Sequence, residues 1–327
     1  MLNEFRRNLV SGEWVLFATG RAKHPPSPEE DRQYTAKETC PFEDLKKSGN
    51  TPVWFYPDEN NWRIAVYENK FPAVGQGMHV DSQTQGPFEI QESVGTHNLF
   101  IYKDHERRLS DFSVDEIVEV IRIYKRRYKE IQDAESMARY ILIFHNSGKE
   151  AGASVYHPHS QIISTPILPP DVAKSVSGSY RFFEEHKKNV YDVLLKWEME
   201  SGDRIICQND KFVAFCPFVS KYPYEVRIFM KNAQPHFEQL PDDFDDELAE
   251  VLLTALKKIK KALNDPDFNM LIHTAPTEPT HTHDYYCWHI EILPKTKITG
   301  GFELGTGVDI NVVDPDEAAE KLRNAEV

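Results

Sequence analysis

Residues 98 to 293 state one pattern twice. A strand (98–102), His105, an amphipathic helix (114–131), a strand (139–144) and a strand led by His157 follow one another in that order. The order returns as a strand (225–230), His236, a helix (242–263), a strand (269–273) and a strand (285–293) carrying His289. The spacing is kept as well: 52 residues separate His105 from His157, and 53 separate His236 from His289. Two such passes predict a duplicated α+β unit. The two long helices are core elements, with Ile117, Val120, Ile121 and Tyr124 on one face of the first and Leu248, Val251, Leu252, Ala255 and Ile259 on one face of the second.

The remaining stretches read less sharply. A strand is predicted at 12–18, a basic loop with Arg21 and His24 after it, then mostly irregular chain over 25–53 that holds Cys40-Pro41-Phe42-Glu43. A strand follows at 62–67, a polar loop at 75–94, one helix at 180–200, glycine-rich tight turns at 300–307 and a short helix at 315–324.

A net charge of −14 repels nucleic acid, so any phosphate must be held by a few placed cations and backbone amides. No run is long and apolar enough for a membrane span, and the first residues lack the apolar stretch of a secretory signal. The four cysteines form no disulfide-like framework, which fits a reducing, cytoplasmic setting.

The chemistry concentrates in residues 144–164. On an extended strand His157, His159 and Gln161 would point one way. Gly148, Gly152 and Ser154 just before them let backbone amides approach an anion closely, because glycine lacks a Cβ. Phosphate beside imidazole is the chemistry this suggests.

These residues, with Gly12-Glu13-Trp14-Val15, Asn69-Lys70-Phe71-Pro72-Ala73, His157-Pro158-His159-Ser160-Gln161, Trp288-His289-Ile290-Glu291-Ile292 and Gly301-Phe302-Glu303-Leu304-Gly305-Thr306-Gly307, resemble the galactose-1-phosphate uridylyltransferase family. That family is the nucleotidyl-transferring branch of the histidine-triad superfamily and includes ADP-glucose phosphorylase relatives. The resemblance implies two tandem histidine-triad-like units, each an antiparallel sheet with packed helices, at 1–200 and 201–327. It implies a homodimer whose sites borrow residues across the interface, with nucleotide-sugar and sugar-phosphate substrates. Only the first unit would keep the nucleophile, since the second has Trp288-His289-Ile290 where the first has His157-Pro158-His159.

By the same resemblance His159 is the nucleophile that takes a nucleoside monophosphate from a nucleotide sugar and passes it to a hexose 1-phosphate, in a ping-pong reaction. UDP-glucose and galactose 1-phosphate are the default substrates. ADP-glucose with inorganic phosphate as acceptor is the first alternative, with Ser160 close to that group; a non-catalytic nucleotide-binding protein is the second. Gln161 stands where histidine-triad hydrolases carry a third histidine, and a glutamine that can only hydrogen-bond suits a leaving group that needs no proton. Asn146, Gly152, Ser154 and Gln161 would cradle the phosphates with Arg21, Asn69 would meet the nucleoside, and Lys297, Phe302 and Glu303 would hold the hexose phosphate. His24 stands where many members have arginine.

A family zinc site uses two cysteines and two histidines. Here the corresponding ligands are Cys40, Glu43, His105 and His157, a departure because glutamate replaces a cysteine. His273, Cys287 and His289 resemble a second metal set, read as structural and metal-free because no carboxylate partner is evident. The run His281-Thr282-His283 reads as an exposed loop.

Overall fold

The computed structural model describes residues 3–21, 36–45, 48–75, 77, 82–277 and 282–327. Its strands begin with β1 (Asn3–Arg7), β2 (Trp14–Ala18), β3 (Pro52–Tyr56), β4 (Ile64–Glu68), β5 (Ser82–Gln85), β6 (Phe88–Gln91) and β7 (His97–Tyr102). Helix α1 (Val114–Ala134), β8 (Tyr140–Ser147) and β9 (His159–Thr165) complete the first pass of the pattern. After α2 (Pro170–His186) and α3 (Val190–Ser201) come β10 (Ile205–Gln208), β11 (Phe212–Phe215), β12 (Val226–Met230), α4 (Asp245–Ala262), β13 (Phe268–His273) and β14 (His289–Pro294). The tail forms α5 (Gly301–Thr306), β15 (Asp309–Asn311) and α6 (Pro315–Arg323).

The fold is α+β, and its two halves share one sheet. Ten strands run in the order β10-β11-β12-β14-β13-β8-β9-β7-β4-β3, all neighbours antiparallel. Outward from the β13–β8 seam, the left side is β13-β14-β12-β11-β10 and the right side β8-β9-β7-β4-β3. Each member of one half has its counterpart at the same distance from the centre. At the seam Phe268 to Ile272 pair with Ser147 to Ile143, so the sheets predicted for the two units merge edge to edge.

One face of this sheet is covered by α1, α4 and α6. Ile117, Ile121, Tyr124, Leu248, Leu252 and Ile259 are all buried there against Phe100, Ile143, Ile162, Ile228, Ile272 and Ile290. Ser113 begins α1 as a capping box with Glu116, satisfying two end amides that the first turn leaves without partners. The opposite face is covered unevenly. Cys40, Phe42 and Leu45 pack on Leu99 and Ile101 in the first half, while α3 lays Tyr191 and Leu195 on Phe215 and Phe229 in the second.

The departures from expectation have local causes. The helix predicted over 180–200 is two helices, because Lys187 adopts φ 51 and Asn189 caps a new start at Val190, its side chain accepting from Tyr191 N–H. The stretch 75–94 holds the β5–β6 hairpin around Gly86; it is exposed on both faces, so it carries no apolar alternation to read. Residues 300–307 make a helix, with only Gly307 in the left-handed region, as its C-cap. Strand β3 begins inside the segment read as irregular, and the strand expected from 285 begins only at His289. No helix among the described residues is long and apolar enough to cross a membrane.

Candidate active site

His159 opens β9, and Gln161 lies two residues on, on the same face. His157 precedes the strand, and Phe42 packs against its ring as well as against that of His159. Nδ1 of His159 lies 2.9 Å from the carbonyl oxygen of His157. A carbonyl only accepts, so Nδ1 carries the proton and Nε2 keeps its lone pair. Burial pushes the imidazole below its ordinary pKa, outweighing that hydrogen bond, and favours the neutral ring. Phe42 sets its edge against both rings, at 5.2 Å from His159 and 5.8 Å from His157.

The small-residue loop folds tightly beside this strand. Gly148 has φ 87, and a Cβ there would lie 1.9 Å from the Asp267 carboxylate, so only glycine fits. Asp267 accepts from Glu150 N–H at 2.9 Å and from Arg108 at 3.2 Å, and Ala153 N–H closes the turn on the Gly148 carbonyl at 3.1 Å. Gly152 and Ser154 stand open to solvent on the loop. Asn146 sits opposite Asn269 across the seam; Asn269 donates through Nδ2 to Asn146 Oδ1 at 2.8 Å and to the Ala151 carbonyl at 2.7 Å.

On the other flank, Gln161 Oε1 lies 2.8 Å from His97 Nε2, and Asn69 Nδ2 lies 3.2 Å from the same nitrogen. Asn69 and His97 line a cavity of about 320 Å³ together with Lys70, Gly95, Asn98 and Arg127. Ser160 points to the helix-covered face instead. Its hydroxyl is 2.6 Å from Tyr102 OH, 2.5 Å from Tyr124 OH and 2.9 Å from His145 Nδ1, and burial lowers His145 to about 3. Ser160 therefore braces the strand from behind.

Cys40, His105 and His157 form a buried cluster whose ligand atoms all lie within 4.8 Å of one another. The Glu43 carboxylate faces both rings, 3.2 Å from His105 Nδ1 and 3.4 Å from His157 Nδ1. His157 Nε2 is 2.6 Å from the Tyr102 carbonyl, so it carries the proton and Nδ1 turns its lone pair into the cluster. A thiol, an imidazole lone pair with its outer nitrogen anchored, a second imidazole and a carboxylate make a donor set that could hold a metal.

The tail residues gather apart from this strand. Lys297 donates to the Ile310 carbonyl at 2.7 Å and lies 3.7 Å from Glu303, 4.0 Å from Asp309 and 5.1 Å from the Tyr222 ring centre. Glu303 accepts from Gly300 N–H at 3.1 Å, and Phe302 is exposed.

A family model described as galactose-1-phosphate uridyl transferase, N-terminal domain, matches residues 1–169, and one for a domain of unknown function matches 101–325. The chain is 34% identical to the ADP-glucose phosphorylase of Arabidopsis thaliana, covering 98% of this chain and 92% of that protein. The chain belongs to the galactose-1-phosphate uridylyltransferase family. It is also 30% identical to the galactose-1-phosphate uridylyltransferase of Thermotoga maritima, with 99% of each chain covered. The crystal structure of the Arabidopsis thaliana ADP-glucose phosphorylase with bound ADP-glucose superposes at a TM-score of 0.86, with 32% identity and all of both chains covered.

Against the uridylyltransferase-family pattern, several sequence expectations shift. His289 opens β14 as His159 opens β9, and its Nδ1 lies 3.1 Å from the carbonyl of Cys287, two residues back. The true counterpart of His159 is thus His289, not Ile290, and Glu291 answers to Gln161. Glu291 is also the carboxylate missing from the second-set reading: it lies 3.3 Å from His273, whose ring stacks on His289. His283 is buried against the Tyr285 hydroxyl at 3.0 Å, which corrects the exposed-loop reading; His281, His24 and the Arg21 side chain lie outside the described residues. His97 and Asn269 escaped the sequence reading. Only strand pairing reveals that His97 shares a face with Gln161, and that Asn269 faces Asn146.

Proposed function

We propose that the chain transfers a nucleoside monophosphate from a nucleotide sugar through a covalent nucleotidyl-His159. One observation carries this: the His157 carbonyl holds Nδ1–H of a neutral, buried His159, which leaves Nε2 as an aimed nucleophile beside the glycine loop. Nε2 attacks the α-phosphorus, and the bond from that phosphorus to the bridging oxygen breaks, releasing the sugar 1-phosphate with its electron pair. An acceptor phosphate oxygen then attacks the same phosphorus and expels His159. Gln161 and Asn146 offer amide hydrogen bonds to the phosphate and no proton, which suits a phosphate leaving group and disfavours hydrolysis.

ADP-glucose as donor and inorganic phosphate as acceptor is the reading that the similarity to the Arabidopsis thaliana enzyme supports. UDP-glucose and galactose 1-phosphate is the second, favoured by the paired Lys297 and Glu303, a cation for phosphate and an acceptor for sugar hydroxyls. Residues 1–200 would supply the nucleophile and 201–327 the sugar-phosphate tail, delivered to the site by a second copy in a homodimer. Cys40, Glu43, His105 and His157 would hold zinc, which supplies a fixed anchor for the chain entering β9. His157 then orients His159 through its carbonyl.

The test is the intact mass after separate incubations with ADP-glucose and UDP-glucose. An acid-labile gain of one nucleoside monophosphate, absent from His159→Asn, is the expected result and names the base. No gain from either donor would overturn the covalent reading and favour a silent nucleotide-binding protein.

A further inference from the structure

We infer that His97 and Asn269 are positioning residues that set the polarity of the two amide side chains at the site, so that Gln161 and Asn146 both turn NH₂ groups toward the phosphate. What those groups meet rests on the nucleotidyl-transfer reading; their polarity rests on hydrogen bonds alone. An amide side chain has nearly the same shape either way round, yet one end donates and the other only accepts. A phosphate oxygen can use only the donating end.

At Gln161 the polarity traces back to a backbone group with a single role. Ala73 N–H lies 3.1 Å from His97 Nδ1 and can only donate, so Nδ1 holds the lone pair. The proton of the neutral ring is then on Nε2, and it is donated to Gln161 Oε1 at 2.8 Å. Asn69 does not compete for that proton. Phe71 N–H occupies Asn69 Oδ1 at 3.0 Å, so the Asn69 group 3.2 Å from Nε2 is its NH₂, which finds no lone pair on the protonated Nε2 and makes no hydrogen bond there. With its oxygen turned to His97, Gln161 presents its NH₂ to a phosphate oxygen, which only accepts.

At Asn146 the same logic runs from a carbonyl. The Ala151 oxygen can only accept, so the Asn269 group 2.7 Å away is its NH₂. The second hydrogen of that NH₂ goes to Asn146 at 2.8 Å, which must therefore present its oxygen. Asn146 Nδ2 is left on the side of the glycine loop, where a Cβ on Gly152 would lie 4.0 Å from it. His97 belongs to β7 in the first half and Asn269 to β13 in the second, so each half supplies one of the two relays.

The experiment is a pair of double-mutant cycles on the single-turnover rate of adduct formation, with melting temperature as a fold check. His97→Leu and Asn269→Leu should each slow the step by about 10- to 100-fold, the range typical of supports behind a reacting group, with KM for the nucleotide sugar moving far less. In a Gln161→Ala background His97→Leu should cost no further rate, and likewise Asn269→Leu in an Asn146→Ala background. The crossed pairs should multiply. Multiplication within the matched pairs would overturn the inference. Nitrogen NMR of His97 in the wild-type protein gives an answer that needs no turnover: a proton on Nε2 and a lone pair on Nδ1 are expected, and a proton on Nδ1 would overturn it. A wild-type protein with that tautomer that forms no adduct would sink nucleotidyl transfer while leaving the polarity assignment standing.

Discussion

The two halves of the sheet place a histidine in the same way and then treat it differently. His159 and His289 each open a strand, and each donates from Nδ1 to the carbonyl two residues back. Around His159 the neighbours are neutral amides, Gln161 and Asn146, beside an exposed glycine loop. Around His289 they are Glu291 and His273, with Phe229 stacked on the ring at 4.7 Å. Arg227 then fills the second half from within, 2.7 Å from Glu291 and 2.8 Å from Glu225. Burial alone would raise Glu291, but Arg227 and His273 outweigh it and hold the carboxyl well below its ordinary range. On the proposed reading, a positioned imidazole is not sufficient for a nucleophile. What distinguishes the first half is that its histidine stands among neutral amides, while in the second half charged groups are paired with one another.

The sharpest way to break this comparison is to exchange the two histidines for asparagine in turn. His159→Asn should lower turnover by at least about 10⁴-fold, as loss of a nucleophile does, and His289→Asn should leave turnover within a few-fold at a lower melting temperature. Equal losses in steady-state assays would show that both halves react. Next in size, Arg227→Met leaves two buried carboxylates without their cation and should cost about 3–5 kcal/mol in denaturant unfolding. Gln161→Glu copies the Glu291 arrangement into the first half. It sets a carboxylate against phosphate and should reduce kcat by about 10²- to 10³-fold without unfolding the chain.

The smallest effect concerns the pH response of the partners of His105 and His236. His105 faces the Glu43 carboxylate in the Cys40 cluster, whereas burial and His283 push His236 down to about 4. Its neighbour Glu238 is driven by burial up to about 7. A carboxyl raised in the folded state binds its proton more tightly there than in the unfolded chain. Its penalty is therefore absent below the unfolded pKa, near 4.5, and grows as pH rises to about 7. Glu238→Gln should thus raise stability at pH 8 relative to pH 5, by at most about 3 kcal/mol, read from melting curves at the two pH values. Treatment with a chelator is the companion test of the proposed zinc site in the first half. Prolonged chelation should lower the melting temperature and slow adduct formation, and added zinc should restore both, whereas Glu43→Gln should make the protein easier to strip.

Much of this molecule is legible in its sequence. The repeat order, both long helices and the glycine loop before His159 are local patterns with fixed spacing, while the cluster of Cys40, Glu43, His105 and His157 is reached only through the family resemblance. Elements without an apolar rhythm are not legible. The β5–β6 hairpin is polar on both faces, and the break at Lys187 depends on one residue in a left-handed conformation. The supports of the site are hidden for another reason. His97 lies 64 residues from Gln161 and Asn269 lies 123 from Asn146, and only strand register brings them together. Register also moves the histidine equivalence of the second half from position 290 to position 289.

The seam between β8 and β13 has a consequence for how this molecule can be divided. Cutting the chain near residue 200 would not yield a smaller working unit, because it would bare Ile143–Ser147 of β8 as an unpaired edge and remove the asparagine that holds Asn146. The natural partner for such an edge is another β8, related by the twofold axis that the strand order already implies. The single chain is laid out as a covalently joined pair of like subunits. Within that pair the two copies need not match: the second packs its charged groups against one another and still lends Asn269 to the first.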